Sequence, residues 1–349
     1  MKIKLISALL IVLVLCFTPY IGTDILGFKM VFGIIIPYIA FLVFIMGIIW
    51  KVLYWARSPV PFRITTTCGQ QKSLPWIKAN GIDNPFSKTA VAIRMALEIL
   101  AFRSLFRNTL MSVQETSKGK KIVYKLEVFL WIAALAFHYS FLVVFIRHLR
   151  FFMKPVPKLI QFLENIDGFF QIEYMAGVFA VGLPGVLISG IILFAALFFL
   201  LGRRILSPLN RYISNAGDYF PLLLIIAIAF TGILMRYFTK VDITGVKELT
   251  LGFASFKPVI PETVGSIFYI HFFLVCVLFA YIPFSKISHM GGVFLSPARN
   301  LTADTRRKRH INPWNPDVKT HTYKEYEEEF RDKMIGAGIP VEEKEKING

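Results

Sequence analysis

The amino-acid sequence predicts an all-α integral membrane protein that crosses the bilayer six times. Two observations carry this reading. The chain of 349 residues is 55% hydrophobic, with a mean hydropathy of +0.59, well above an ordinary soluble domain. Its 34 phenylalanines gather in apolar runs of about 20 residues, the length an α-helix needs to span the hydrocarbon core. A net charge of +17 would suggest a nucleic-acid surface in a soluble protein. In a membrane protein the excess of Lys and Arg marks cytoplasmic loops instead, and no nucleic-acid partner is expected. The cysteines, Cys16, Cys68 and Cys276, stand singly. They form no CxxC zinc site, no cluster-binding run and no CxxCH haem-attachment site, so any iron–sulfur cluster belongs to a partner.

The spans can be placed in order. The first covers about 4–22 and the second about 31–54, with Trp50, Tyr54 and Trp55 as an interfacial belt. The third covers about 126–149, the fourth about 175–201, the fifth about 219–238 and the sixth about 265–287. The opening "MKIK" before an apolar run resembles a secretory signal, but no small-residue cleavage site precedes the next span, so a retained helix is expected. With both termini inside, the cytoplasmic segments hold 30 Lys and Arg and the outer segments 9, which favours N-in, C-in. The organisation is then two N-terminal helices (1–55), a cytoplasmic loop with an amphipathic helix (56–125), a four-helix module (126–290) and a cytoplasmic tail (291–349). Within the loop, residues 87–110 read as a helix with Ser87 as N-cap.

The chemistry lies in the histidines. Of six, His310 and His321 fall in the tail, whereas His138 and His148 lie on the third span and His271 and His289 on the sixth. An ionisable side chain in a bilayer is costly enough that function is its default reading. The two spans run antiparallel, which faces His148 with His271 towards the outside and His138 with His289 towards the inside. Neutral imidazole is a good axial ligand for haem iron, and two bis-histidine haems b would use all four. A zinc site would want its ligands clustered and closed by Cys or carboxylate, and none is present on these faces. Ten residues on the third span rise about 15 Å and eighteen on the sixth about 27 Å. The mismatch requires a bend, for which Pro283 is the candidate. Arg147, Arg150 and Arg236 lie near the outer ends of the third and fifth spans. They are placed either to pair with haem carboxylates or to snorkel at the interface.

Two histidines ten apart on one span and two eighteen apart on a later one resemble the dihaem cytochrome b subunit of respiratory nitrate reductase, the NarI family. Its five spans match spans two to six. The stretches "FRITTTCGQQKSLPWIKANGIDNPFSKTAVAIRMALEILAFRSLFRNT" (62–109) and "LSPARNLTADTRRKRHINPWNPDVKTHTYKEYEEEFRDKM" (295–334) resemble the DsrM branch, membrane cytochromes b of sulfite-reduction-associated DsrMKJOP complexes. An extra first span and the long 56–125 segment depart from the nitrate reductase pattern.

The resemblance implies a prokaryotic cell-membrane protein passing electrons between menaquinol and a cytoplasmic, DsrK-like iron–sulfur subunit that resembles heterodisulfide reductase. Further implied partners are a second, DsrP-like membrane subunit and exported DsrJ-like c-haem and DsrO-like iron–sulfur subunits. The quinone site would lie beside the outer haem, where Lys154 and Lys158 are positional candidates; equally, "FFMKPVPK" is a Pro-stiffened loop with solvated lysines. The tail from 295 has too little apolar content for its own core and is expected to order on the cytoplasmic partner, with Trp314 and Tyr323 as anchors. Two rivals remain. A secondary transporter would show internal repeats and broken helices, and a plain membrane anchor would need no paired histidines.

Overall fold

The computed structural model describes residues 2–58, 80–117, 119–168, 170–176, 179–303 and 321–342. Cys68, the "RRKRH" run, Trp314 and all of 62–79 lie outside the described residues. Among the described residues six helices are long and apolar enough to cross a membrane, the number the sequence predicts. The chain opens with α1 (Lys2–Tyr20), extended by a π-helical turn at Ile21–Ile25, and returns through a second π turn, Val31–Ile35, into α2 (Ile36–Ala56). The second part holds α3 (Lys88–Leu100), α4 (Arg103–Phe106) and a hairpin of β1 (Thr109–Thr116) and β2 (Gly119–Leu126). Then come α5 (Val128–His148), α6 (Lys158–Asp167), a second hairpin of β3 (Phe170–Ala176) and β4 (Phe179–Val186), and α7 (Ile188–Leu206). The chain continues through α8 (Pro208–Ile213), α9 (Ala216–Ile233), α10 (Ile243–Ala254) and α11 (Ser266–Tyr281). Short α12 (His289–Gly292) and α13 (Pro297–Asn300) lead to α14 (Tyr323–Gly336).

We call the end of the bundle where α1 begins the near end and the opposite one the far end. Helix α1 packs on α9 and α11, α2 on α11, α5 on α7, and α7 on α9. One core cluster joins Val12 of α1, Leu193 and Leu197 of α7, Leu224 and Ile225 of α9, and Leu274 and Leu278 of α11. The first span is thus part of the bundle. A second cluster at the far end gathers Phe32, Val246, Leu249, Val264, Phe268 and Tyr269. The outward faces of α1 and α2 stay apolar and exposed, as at Leu10, Val14, Phe17, Phe41 and Leu42. Surface that faces lipid has no reason to be polar. At Gly47 an added Cβ would sit 2.7 Å from the Pro283 ring, so the absence of a side chain there lets α2 lie directly on the end of α11.

Three sequence expectations change. The fourth span begins at Ile188, not near 175, and β3 and β4 pair antiparallel before it. Gly182, Pro184 and Gly185 interrupt the apolar run and deny it a continuous helical backbone. The helix capped by Ser87, whose Oγ accepts from Ala90 N at 3.2 Å, stops at Leu100 rather than reaching 110. Phe102 adopts a left-handed conformation (φ 48°, ψ 48°), which ends the helix, and β1 begins at Thr109. The acidic block of the tail folds into α14 within this chain. Thr322 caps it, accepting from Glu325 N, while Glu325 returns to Thr322 N, a reciprocal capping box.

Candidate haem sites

The histidine-bearing helices are positioned by different means. Helix α5 is held by α7 and α6 rather than by extensive packing on α11. On the other side, α11 ends at Tyr281, Pro283 opens a 3-10 turn (Ile282–Phe284), and a second one (Lys286–Ser288) leads to His289. Proline lacks the N–H that a continuing helix would need. His289 is therefore presented from a short helix of its own, which resolves the mismatch between ten- and eighteen-residue spacings.

The rings meet as the antiparallel reading expects. His148 and His271 have ring centroids 6.3 Å apart with planes at 18°; His138 and His289 are 6.1 Å apart with planes at 86°. An imidazole bonded to a transition metal through nitrogen stands about 2 Å from it, its ring centroid about 3 Å. Two imidazoles on opposite sides of one metal then have centroids about 6 Å apart, and both pairs match. Nδ1 of His138 lies 2.7 Å from the Ala134 carbonyl, that of His148 2.7 Å from the Val144 carbonyl and that of His289 2.9 Å from the Lys286 carbonyl. His271 departs from this pattern: its Nδ1 meets Thr231 Oγ1 of α9 at 2.9 Å. A carbonyl can only accept, so in three rings the proton is fixed on Nδ1 and the Nε2 lone pair is left for a metal. A Cβ added at Gly232 would stand in ordinary van der Waals contact with His271 Cε1, at 3.5 Å, so α9 passes close beside the His271 ring. Among the described residues no three His, Cys, Asp or Glu converge. The donor sets are paired imidazoles, which suit axial ligation of iron in a macrocycle.

The arginines have protein partners. Arg147 pairs with Asp167 and Arg150 with Glu164, both on α6. The basic residues are three apart and so are the acidic ones, so each couple lies on one helical face and the two couples run antiparallel. Asp167 also accepts from Ser189 N at 2.7 Å and Ser189 Oγ at 2.5 Å. Arg236 lies with its guanidinium 5.7 Å from the Tyr237 ring centroid. Lys154 and Lys158 are exposed and form no ion pair among the described residues. Sequence reasoning missed Asp167, Glu164, Thr231 and Gly232. The matched i, i+3 spacings of Arg147/Arg150 and Glu164/Asp167 were a readable signal for the first two; Thr231 and Gly232 carry none without the packing of α9 on α11.

At the near end Asp83 anchors the segment before α5. It accepts from Arg103 and, at 2.5 Å, from Arg107, while Arg94 donates to the Asp83 carbonyl at 2.7 Å. Hydrogen bonding from Arg103, followed by that from Arg107, outweighs the opposing effect of burial and holds the Asp83 carboxyl down at about 2.

Comparison with known proteins agrees with this architecture. The family model described as nitrate reductase gamma subunit matches residues 94–305. A protein of Archaeoglobus fulgidus named Hdr-like menaquinol oxidoreductase cytochrome b-like subunit is 44% identical over 293 residues, covering 82% of this chain and 84% of the relative. Its namesake in Archaeoglobus profundus is 43% identical over 288 residues, covering 81% and 82%. This multi-pass membrane protein belongs to the nitrate reductase gamma subunit family.

Proposed function

We propose that this chain is the membrane cytochrome b of a menaquinol-linked oxidoreductase complex, holding two haems b. His148 and His271 ligate one at the far end, and His138 and His289 ligate the other at the near end. The observation that carries the reading is the pair of imidazole couples, each spaced for a single iron with Nδ1 engaged elsewhere. The names of the two Archaeoglobus relatives support the quinol-linked role. Bound there, haem supplies a one-electron couple at each end of the bundle. The protein's part is to fix ring orientation through the Ala134, Val144 and Lys286 carbonyls and Thr231.

In the proposed orientation the near end is cytoplasmic, as the Lys and Arg distribution favours. Quinol is oxidised beside the far pair, where Lys154 and Lys158 stand at the start of the following segment. Arg147, Arg150 and Arg236 supply the positive surroundings that haem carboxylates would need, with Arg147 and Arg150 shared by α6. Electrons leave at the near end to a DsrK-like iron–sulfur subunit in a DsrMKJOP-type complex of sulfite or sulfur respiration. DsrP-, DsrJ- and DsrO-like subunits complete that assembly.

The pyridine haemochrome of the purified protein should give close to two non-covalent haems b per chain. His148→Ala and His271→Ala should each remove the same haem, and His138→Ala and His289→Ala the other. Absence of haem from an intact preparation, or losses that pair His138 with His148, would sink the reading; the first result is what a transporter or a bare anchor predicts.

A further inference from the structure

We propose that Phe102 is a positioning residue for the near-end haem, holding the His138 imidazole perpendicular to that of His289. The inference rests on the reading of these two histidines as axial ligands. Phe102 carries a left-handed backbone (φ 48°, ψ 48°), a conformation that bulky L-residues avoid and that persists only where surrounding structure imposes it. What imposes it is visible. Trp131 Nε1 donates to the Ala101 carbonyl at 2.7 Å, and Tyr139 OH donates to the Leu100 carbonyl at 2.7 Å. Two side chains of α5, on either side of His138 in sequence, thus bolt the corner between α3 and α4 onto the helix that carries the ligand. Phe106 adds a ring contact to Trp131 at 4.9 Å.

The corner delivers one ring to the site. Phe102 meets His138 with centroids 4.8 Å apart and planes at 88°. Phe137 flanks the same imidazole at 4.9 Å and 84°, but from within α5; Phe102 is the ring that the cytoplasmic-loop segment contributes. Together with the bond to the Ala134 carbonyl, it confines rotation of His138 about its Cβ–Cγ bond. The outcome differs between the two sites: the imidazole planes are at 86° in the near pair and 18° in the far pair. Ring planes matter electronically. Parallel axial imidazoles split the iron's lower d orbitals and give a rhombic low-spin ferric spectrum, whereas perpendicular ones keep those orbitals close in energy and give a highly anisotropic signal at larger g. One chain should therefore show both kinds.

The test is low-temperature electron paramagnetic resonance of the oxidised, haem-loaded full chain, with His148→Ala used to assign the far-end signal. Glycine is at ease at positive φ, so Phe102→Gly relieves the backbone and removes only the ring. Wild type should give one rhombic and one highly anisotropic signal. In Phe102→Gly the anisotropic signal should move to smaller g, with the far signal unchanged and two haems retained, and Phe102→Tyr should keep the wild-type spectrum. An unaltered near signal in Phe102→Gly, or equal changes in both signals, would overturn the assignment. A wild type with no haem signal at all would instead bring down the haem reading on which it rests.

Discussion

Removing Asp167 while leaving Arg147 in place strands a buried charge at the far end. Both side chains are nearly inaccessible, Arg147 at 7% and Asp167 at 6% exposure. Burying an unpaired guanidinium costs about 3–5 kcal/mol. Asp167 has a second duty. Leu187, which precedes α7, offers no side-chain cap, and the Asp167 carboxylate takes the Ser189 N–H in its place. Loss of such a cap is worth about 1 kcal/mol, so Asp167→Ala should destabilise the far end by roughly 4–6 kcal/mol. At about 2 °C per kcal/mol for a chain of this size, the midpoint should fall by roughly 8–12 °C. Thermal unfolding of the detergent-solubilised, haem-loaded protein, followed by helical circular dichroism and the haem absorbance together, measures it. The double substitution Arg147→Met/Asp167→Leu removes the charge problem but not the missing cap, and should recover most of the loss. A single variant that melts within about 2 °C of wild type, or a double variant as unstable as the single, would refute the argument.

Three other outcomes follow from the structure. Gly47→Val should loosen the seam of α2 on Pro283, where even a Cβ would meet ring atoms at 2.7 and 2.8 Å; because Pro283 sets the path to His289, near-end haem should be lost on dilution before far-end haem, as resolved spectra would show. Asp83 has a folded-state value of about 2, below the ordinary carboxylate range, so its stabilisation is complete above about pH 4 and disappears as pH falls through about 2. Amide protection of α3 and α4 by hydrogen exchange should decline across that window in wild type and be low and flat in Asp83→Asn. Truncation after Arg299, which deletes α14, should leave both proposed haems bound and quinol-reducible while weakening co-purification of the proposed cytoplasmic iron–sulfur subunit; unchanged co-purification would move the docking site to the 56–125 loop.

How much of this was legible in the sequence depends on the range of the interaction concerned. The six spans were readable because a bilayer imposes one strong rule, about 20 consecutive apolar residues per crossing, and the end of α11 was readable at Pro283 because proline acts locally. The fourth span slipped by about a dozen residues where that rule was applied to composition alone. The stretch from 175 to 186 is apolar enough for lipid, yet Gly182, Pro184 and Gly185 deny it the backbone continuity a span needs. The end of the helix after Ser87 was missed for a different reason. No proline or glycine marks Phe102, and its left-handed turn is imposed by Trp131 and Tyr139, some thirty to forty residues further on.

The site divides along the same line. Spacing along two antiparallel helices is a one-dimensional property, so the facing of His148 with His271 and of His138 with His289 could be worked out from numbers in the chain. The orientation of each ring could not. Three of the four histidines take a carbonyl of their own helix or the turn before them, which any helical His can do, but His271 is set by Thr231 of α9. Its ring plane therefore depends on how two helices pack. The arginines show the converse limit: their place at the outer ends of the spans does not say which carboxylates they meet. Read singly, Arg147 and Arg150 looked available for a cofactor's carboxylates; read against Glu164 and Asp167 at the same three-residue spacing, they have carboxylates of the chain's own. A basic residue near a membrane haem site is thus weak evidence for cofactor pairing until the acidic residues within reach of its helix face have been matched against it.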